Sequence, residues 1–185
     1  MSWIQIIEET DSTGKLKEIY DDIENKRGKI SNIMKIHSLN PDAMKKHMEL
    51  YLSIMFGSST LTREDRELIG LVVSTINCCE YCINHHAEAL NHYWKNEEKI
   101  QNFIKDFQSV DISDKNHKML DYVFKLTNTP YDVKKSDVEI LQKSGFSDEN
   151  ILNINLITSY FNFVNRIALG LGVDFSLDEK KGYNY

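Results

Sequence analysis

Three cysteines fall within five residues, at Cys78, Cys79 and Cys82, and His86 follows the last of them by four. Successive residues of an α-helix turn by about 100°, so Cys82 lies about 60° from Cys79, and His86 about 20° from Cys79 on the same side. The i, i+4 spacing of Cys82 and His86 lets the imidazole and that sulfur touch. With the motif at a helix start, unpaired N–H groups and the macrodipole favour an anion there. Both influences draw a thiol pKa from about 8.5 toward neutrality, which makes a thiolate nucleophile. Cys78 and His85 are predicted to point away from this face. Taken alone, Cys79-x-x-Cys82 fits a pair of metal ligands or two packed thiols equally well, and His86 fits a satisfied interior histidine.

Glu67 stands twelve residues before Cys79. In an antiparallel hairpin turning near Asn77, a rise of ~1.5 Å per residue brings Glu67 level with His86. A carboxylate there orients the imidazole and accepts its proton. The apolar register around Glu67 predicts burial that raises its pKa. Alone, Glu67 would read as a solvated helix residue; the whole pattern Glu-x11-Cys-x2-Cys-x3-His is far more specific than any part of it. Tyr81 reads as a packing residue with its hydroxyl at a polar edge, and as an accessory candidate for a proton relay. His85 and His92 have no role in this reading.

The elements that must hold these groups read as helices. Leu16, Ile19, Tyr20 and Ile23 keep one helical face, with Gly28 as the stop. Asn40-Pro41 starts a helix carrying Met44, Met48, Tyr51 and Met55 as far as Gly57, and the methionines at helical spacing are assigned to the core. Thr62 with Asp65 resembles a capping box for a helix reaching about Asn77. The next helix should run from near Cys79 to Trp94. Asn96–Phe107, Ser113 to about Leu126 and Ser136–Lys143 follow, and Gly145 ends the last of these before Ser147 caps a final long segment.

An internal match at an offset of 85 residues reads as a repeat. Thr62 lies over Ser147, and Leu71-Val72-Val73-Ser74 lies over Leu156-Ile157-Thr158-Ser159. Glu67, Cys79, Cys82 and His86 then fall opposite Leu152, Val164, Ile167 and Leu171. Positions that are apolar in one copy are ionisable or redox-active in the other, an exchange that core packing does not require. The expectation is an all-α fold with two pseudo-repeated helix-turn-helix hairpins in a single domain, 1–185. The active hairpin covers about 62–94 and the degenerate copy about 147–172.

Composition limits the partners. The chain has 185 residues and a formal net charge of −6, with no basic tract, which argues against nucleic acid and anionic membrane surfaces. Only two prolines and eight glycines leave little punctuation for a β-sandwich or barrel. The N-terminal residues carry no basic stretch and no apolar run of signal-peptide length, and no uncharged segment has the length of a bilayer span. The expected setting is cytoplasmic, a reducing compartment in which three clustered cysteines serve chemistry better than architecture.

Glu67, Cys79, Cys82 and His86 reproduce the signature of the alkylhydroperoxidase D (AhpD)-like and carboxymuconolactone decarboxylase superfamily. The run from Asn77 to His86, with Tyr160-Phe-Asn-Phe-Val-Asn-Arg-Ile-Ala-Leu-Gly-Leu-Gly-Val173, resembles its peroxidase-related branch. The resemblance covers most of the chain. It implies a helical fold, a homo-oligomer (trimer or hexamer) and a thiol peroxidase. In that reading Cys82 is oxidised by a hydroperoxide to a sulfenic acid, Cys79 resolves it as a disulfide, and His86 and Glu67 carry protons. A dithiol would restore the pair, and no prosthetic group is needed. The sequence departs at Tyr81, where the AhpD relay has a second histidine; a phenol with a pKa of about 10 exchanges protons poorly near neutral pH. The helix terminus favours Cys79 as the attacking sulfur. The His86 base favours Cys82, which is the expectation adopted, with Cys78 a bystander. Two alternatives stand beside it: a carboxymuconolactone decarboxylase-type enzyme, and a non-enzymatic zinc-binding or redox-sensing module using Cys79, Cys82, His86 and Glu67.

Overall fold

The structure, a computed structural model, describes residues 2–175 and Glu179; the expected limits of the domain, 1 and 185, lie outside the described residues. The α-helices described are α1 (Gly14–Arg27), α2 (Asn32–Lys35), α3 (Pro41–Phe56), α4 (Arg63–Ile76), α5 (Glu80–Trp94), α6 (Glu97–Lys105), α7 (Asp114–Asn128), α8 (Lys135–Lys143) and α9 (Asp148–Leu171). No strand occurs among the described residues. Nor is any helix described long and apolar enough to cross a membrane.

Local chemistry explains the ends. Asn40 Oδ1 accepts the Ala43 N–H at 3.2 Å, with Pro41 in the first helical position. Thr62 and Asp65 complete a reciprocal capping box: the Asp65 N–H donates to Thr62 Oγ1 at 3.1 Å and the Thr62 N–H to Asp65 Oδ2 at 2.9 Å. Gly28 stops α1 in the left-handed region at φ 79°, its N–H donating to the Glu24 carbonyl. The four-residue α2 is absent from the sequence reading because one turn is too short to show a repeating apolar pattern.

α4 is the central element. Every residue from Arg66 to Ser74 is buried, as expected of a helix surrounded by other helices, and it packs on α5, α7 and α9. Arg66 ties its start to the end of α3 by donating to the Ile54 and Gly57 carbonyls at 3.1 and 2.8 Å. The α4–α5 hairpin is fastened at its turn by the Cys79 N–H on the Ser74 carbonyl at 3.0 Å, and at its far end by Trp94 Nε1 on Glu64 at 2.6 Å. Met44, Met48 and Met55 are core residues, as expected.

The second half differs from the expected hairpin over 147–172. Asp148–Leu171 is one continuous helix, capped by Ser147 and closed by left-handed Gly172 at φ 61°. The first hairpin turns because Cys78 adopts a left-handed φ of 55° and Cys79 is extended. The matching residues Asn162-Phe163-Val164 stay helical, so the chain never reverses. Across this junction Asn77 Nδ2 donates to Asn162 Oδ1 at 3.0 Å and to Asn165 Oδ1 at 3.1 Å, so the turn of one segment is docked on the unbroken helix of the other.

Candidate active site

Arg63, Glu67 and Gly70 project from one face of α4, three and four residues apart. Cys79, at the N-cap of α5, is followed on that helix by Cys82 and His86. Packing the two helices antiparallel brings Glu67 Oε2 to 2.7 Å from His86 Nδ1, at the level that the hairpin spacing predicts. The other carboxylate oxygen, Oε1, accepts from Arg63 Nε at 2.7 Å and lies 2.5 Å from Arg63 Nη2. Glu67 is 1% exposed. Burial pushes its carboxyl pKa up, but the His86 hydrogen bond and the Arg63 guanidinium outweigh it and hold the group below its ordinary value. The expected upward shift is therefore reversed, first by the His86 hydrogen bond and then by Arg63, one turn earlier on the same helix, whose charge apolar periodicity does not reveal. With Glu67 ionised, His86 donates through Nδ1 and keeps Nε2 as the acceptor.

The imidazole is wedged on both faces. Gly70 lies against it so closely that a β-carbon there would meet Cε1, Nδ1 and Nε2 at 2.6, 2.7 and 2.8 Å. The Phe161 ring meets it edge-on, with centroids 4.3 Å apart at 82°. His86 is thus fixed in orientation by packing as well as by hydrogen bonding.

Cys79 and Cys82 are free thiols, both buried, with their sulfurs 2.7 Å apart. The two sulfurs share one hydrogen bond. That contact, more than the opposing burial, draws the Cys79 pKa down, while the same contact together with burial drives Cys82 well up, against a smaller lowering by the Asn165 side chain. Of the two, Cys79 is the thiol that gives up its proton more readily. This is the reverse of the expectation that the histidine would ionise Cys82: His86 spends its hydrogen bond on Glu67, and the nearer partner of Cys82 is the other sulfur. Cys78, left-handed in the turn, is exposed and apart from the pair.

A cavity of about 110 Å³ opens beside these groups, lined by Cys82, His86 and Glu67 and walled by Tyr51, Tyr160 and Phe161. Cys79 is not among its lining residues. His85, expected to point away, also lines it, because the cavity reaches around a wide arc of α5. Tyr81 lines it too, and its hydroxyl donates to Glu179 Oε1 at 2.8 Å. Among the described residues no three His, Cys, Asp or Glu side chains are grouped to hold a metal ion, so the four residues of the zinc alternative do not form such a set. Sequence reasoning missed Arg63, Gly70, Asn165, His85 and Glu179. Gly70, isolated inside a helical pattern, and the Arg63–Glu67 i, i+4 pair were visible signals. Nothing near Glu179 marks a residue that meets Tyr81 across 98 positions.

Residues 41–105, from α3 through α6, match the carboxymuconolactone decarboxylase family. A sequence comparison with curated proteins finds no match. The chain superposes on the alkylhydroperoxidase AhpD core of an uncharacterized peroxidase-related protein from Ralstonia eutropha JMP134 with a TM-score of 0.86, at 24% identity over 97% of this chain and 94% of that one. A peroxidase-related protein from Silicibacter sp. TM1040 gives 0.87, at 24% identity over 97% and 94%. A cysteine-to-alanine variant of the debrominase Bmp8, in complex with 2,3,4-tribromopyrrole, gives 0.79 at 18% identity over 97% and 96%. These likenesses show a shared fold.

Proposed function

We propose, from the match of residues 41–105 to the carboxymuconolactone decarboxylase family and from the AhpD-like fold, that the chain is a thiol peroxidase working through Cys79 and Cys82. The observation that carries the reading is the Glu67–His86 hydrogen bond of 2.7 Å, held at the wall of a cavity that the buried Cys82 thiol also lines. Two adjacent thiols beside an oriented imidazole are a two-electron donor with a proton acceptor in place.

Cys82, the sulfur that faces the cavity, attacks the terminal oxygen of a hydroperoxide. Its proton passes to the His86 imidazole, which ionised Glu67 holds in place, and the Cys79 thiol keeps its own proton for the departing hydroxide. The S–O bond forms, the O–O bond breaks, and the departing alkoxide is protonated to the alcohol. Cys79 then attacks the Cys82 sulfenic sulfur and hydroxide leaves as water. Two thiols become one disulfide and one hydroperoxide becomes alcohol and water; a dithiol reverses the oxidation by exchange.

The test is a thiol count. One equivalent of hydroperoxide should consume two of the three thiols in each chain, with recovery after a dithiol, and an unchanged count would refute the reading. A second reading is favoured by the aromatic cavity walls and the fold shared with Bmp8: the same dithiol reducing a small halogenated aromatic compound. Bromide release from 2,3,4-tribromopyrrole with matching thiol loss would support it over peroxide reduction.

A further inference from the structure

Two consecutive histidines of α5 each face a buried carboxylate from another part of the chain. His86 meets Glu67. His85 Nε2 lies 3.7 Å from Glu179 Oε1, and the same oxygen accepts from the Tyr81 hydroxyl at 2.8 Å and from the Asn32 N–H at 2.6 Å. Glu179 is 3% exposed. Burial raises its pKa, but nearby His85 and the hydrogen bonds from Asn32 and Tyr81 prevail and hold it below the ordinary value, so it is an anion. The Tyr81 ring packs on His85 at 4.5 Å, and Phe175 meets His85 edge-on at 6.0 Å. His85, His86 and Cys82 share the cavity wall.

Reduction of a hydroperoxide needs two opposite proton movements, one off the attacking thiol and one onto the departing oxygen. A histidine that has just received the first proton can supply the second only in sequence. Two histidines with separate carboxylates divide the tasks, each carboxylate orienting its own imidazole. The Tyr81 hydroxyl is an unsuitable donor, since its proton is already given to Glu179. The other ionisable groups around the cavity are Arg27, Lys29, Tyr51, Arg63 and Tyr160, with Cys82 and the Glu67–His86 pair itself.

We propose that His85 is the general acid that protonates the departing oxygen of the hydroperoxide, with Glu179 and Tyr81 as its positioning residues. The assignment rests on the thiol-peroxidase reading. As Cys82 forms its S–O bond, the electron pair of the O–O bond leaves on the alkoxide. That oxygen takes the proton from His85 Nδ1, the ring nitrogen not turned to Glu179. The products are the alcohol, the Cys82 sulfenic acid and a neutral His85.

The test uses leaving groups of different need. tert-Butyl hydroperoxide expels an alkoxide that must be protonated, whereas peracetic acid expels a carboxylate and iodoacetamide expels iodide, neither of which requires an acid. In the full-length chain, His85→Gln should slow thiol oxidation by tert-butyl hydroperoxide by about 100-fold while leaving the rates with peracetic acid and iodoacetamide unchanged. Glu179→Gln should show the same selectivity with a smaller loss and an unchanged circular-dichroism spectrum. Equal slowing with all three reagents, or no slowing with the hydroperoxide, would overturn the assignment. A wild-type chain that iodoacetamide alkylates but no peroxide oxidises would instead overturn the thiol-peroxidase reading, and His85's role with it.

Discussion

The ring of His86 lies against the backbone of Gly70 with no room for a β-carbon, which would come within 2.6 Å of Cε1. The contact joins the middle of α4 to the base on α5 and aims Nδ1 at Glu67. Gly70→Ala should push the imidazole off this bond at a cost of about 1–3 kcal/mol, the usual penalty of overpacking, measured by urea unfolding. Its thiol pair should also react with hydroperoxide more slowly than the parent's. A variant with parental stability and reactivity would contradict the packing.

Glu67 is held by His86 on one oxygen and Arg63 on the other. Glu67→Gln leaves the Arg63 guanidinium without its countercharge, and breaking a buried pair in this way costs about 3–5 kcal/mol. The pH dependence follows from the sign of the shift. The folded pKa lies below the ordinary 4.5, so the stabilisation is complete above that value and is lost as pH falls through the lowered folded pKa. Urea midpoints measured down this acid range should lose that component in the variant.

His47 supplies a separate acid-sensitive element. It is buried between His37, whose Nε2 lies 3.3 Å from His47 Nδ1, and the rings of Tyr160 and Phe163. Burial, with the nearby His37, pushes its pKa down from 6.5 to about 3. Between those values the unfolded chain binds a proton that the folded chain refuses, so stability falls as pH drops through this window, at about 1.4 kcal/mol per pH unit. His47→Leu should flatten that slope, as followed by thermal melts from pH 7 to pH 3.

The two cysteines can be separated by trapping. In Cys79→Ser, the cavity-facing Cys82 should form a sulfenic acid that dimedone labels after hydroperoxide treatment. Cys82→Ser should consume no peroxide in the cavity. Dimedone on Cys79 in Cys82→Ser, with none on Cys82 in the converse variant, would exchange the roles. Peptide mapping of the oxidised parent should find a Cys79–Cys82 bridge, with Cys78 left as a free thiol.

Exposed apolar side chains recur along α9, where Leu152, Leu156 and Phe163 are 58%, 40% and 51% exposed. Helix faces of this kind are commonly covered by a second copy. Light scattering at micromolar concentration should give a trimer or hexamer of the 21.6 kDa chain, and a monomer mass would refute the assembly.

Features that depend only on neighbours along the chain were legible before folding. The caps at Asn40, Thr62 and Ser147 and the stop at Gly28 are local hydrogen-bonding and φ requirements, and each stands where the residue type demands. The Glu67–His86 pairing was also legible, because a hairpin of two helices with constant rise converts residue spacing directly into height. Tertiary structure decided the rest. α9 runs straight through because Asn162-Phe163-Val164 remain helical where Asn77-Cys78-Cys79 turn. Ionisation likewise depends on which groups meet across the fold: His86 and Arg63 together reverse the burial shift of Glu67, and the contact with Cys82 draws the Cys79 pKa down. Glu179 reaches Tyr81 and His85 from the far end of the chain. Periodicity reports which face of a helix is dry, but the sign of a pKa shift depends on the particular charge that burial brings beside it.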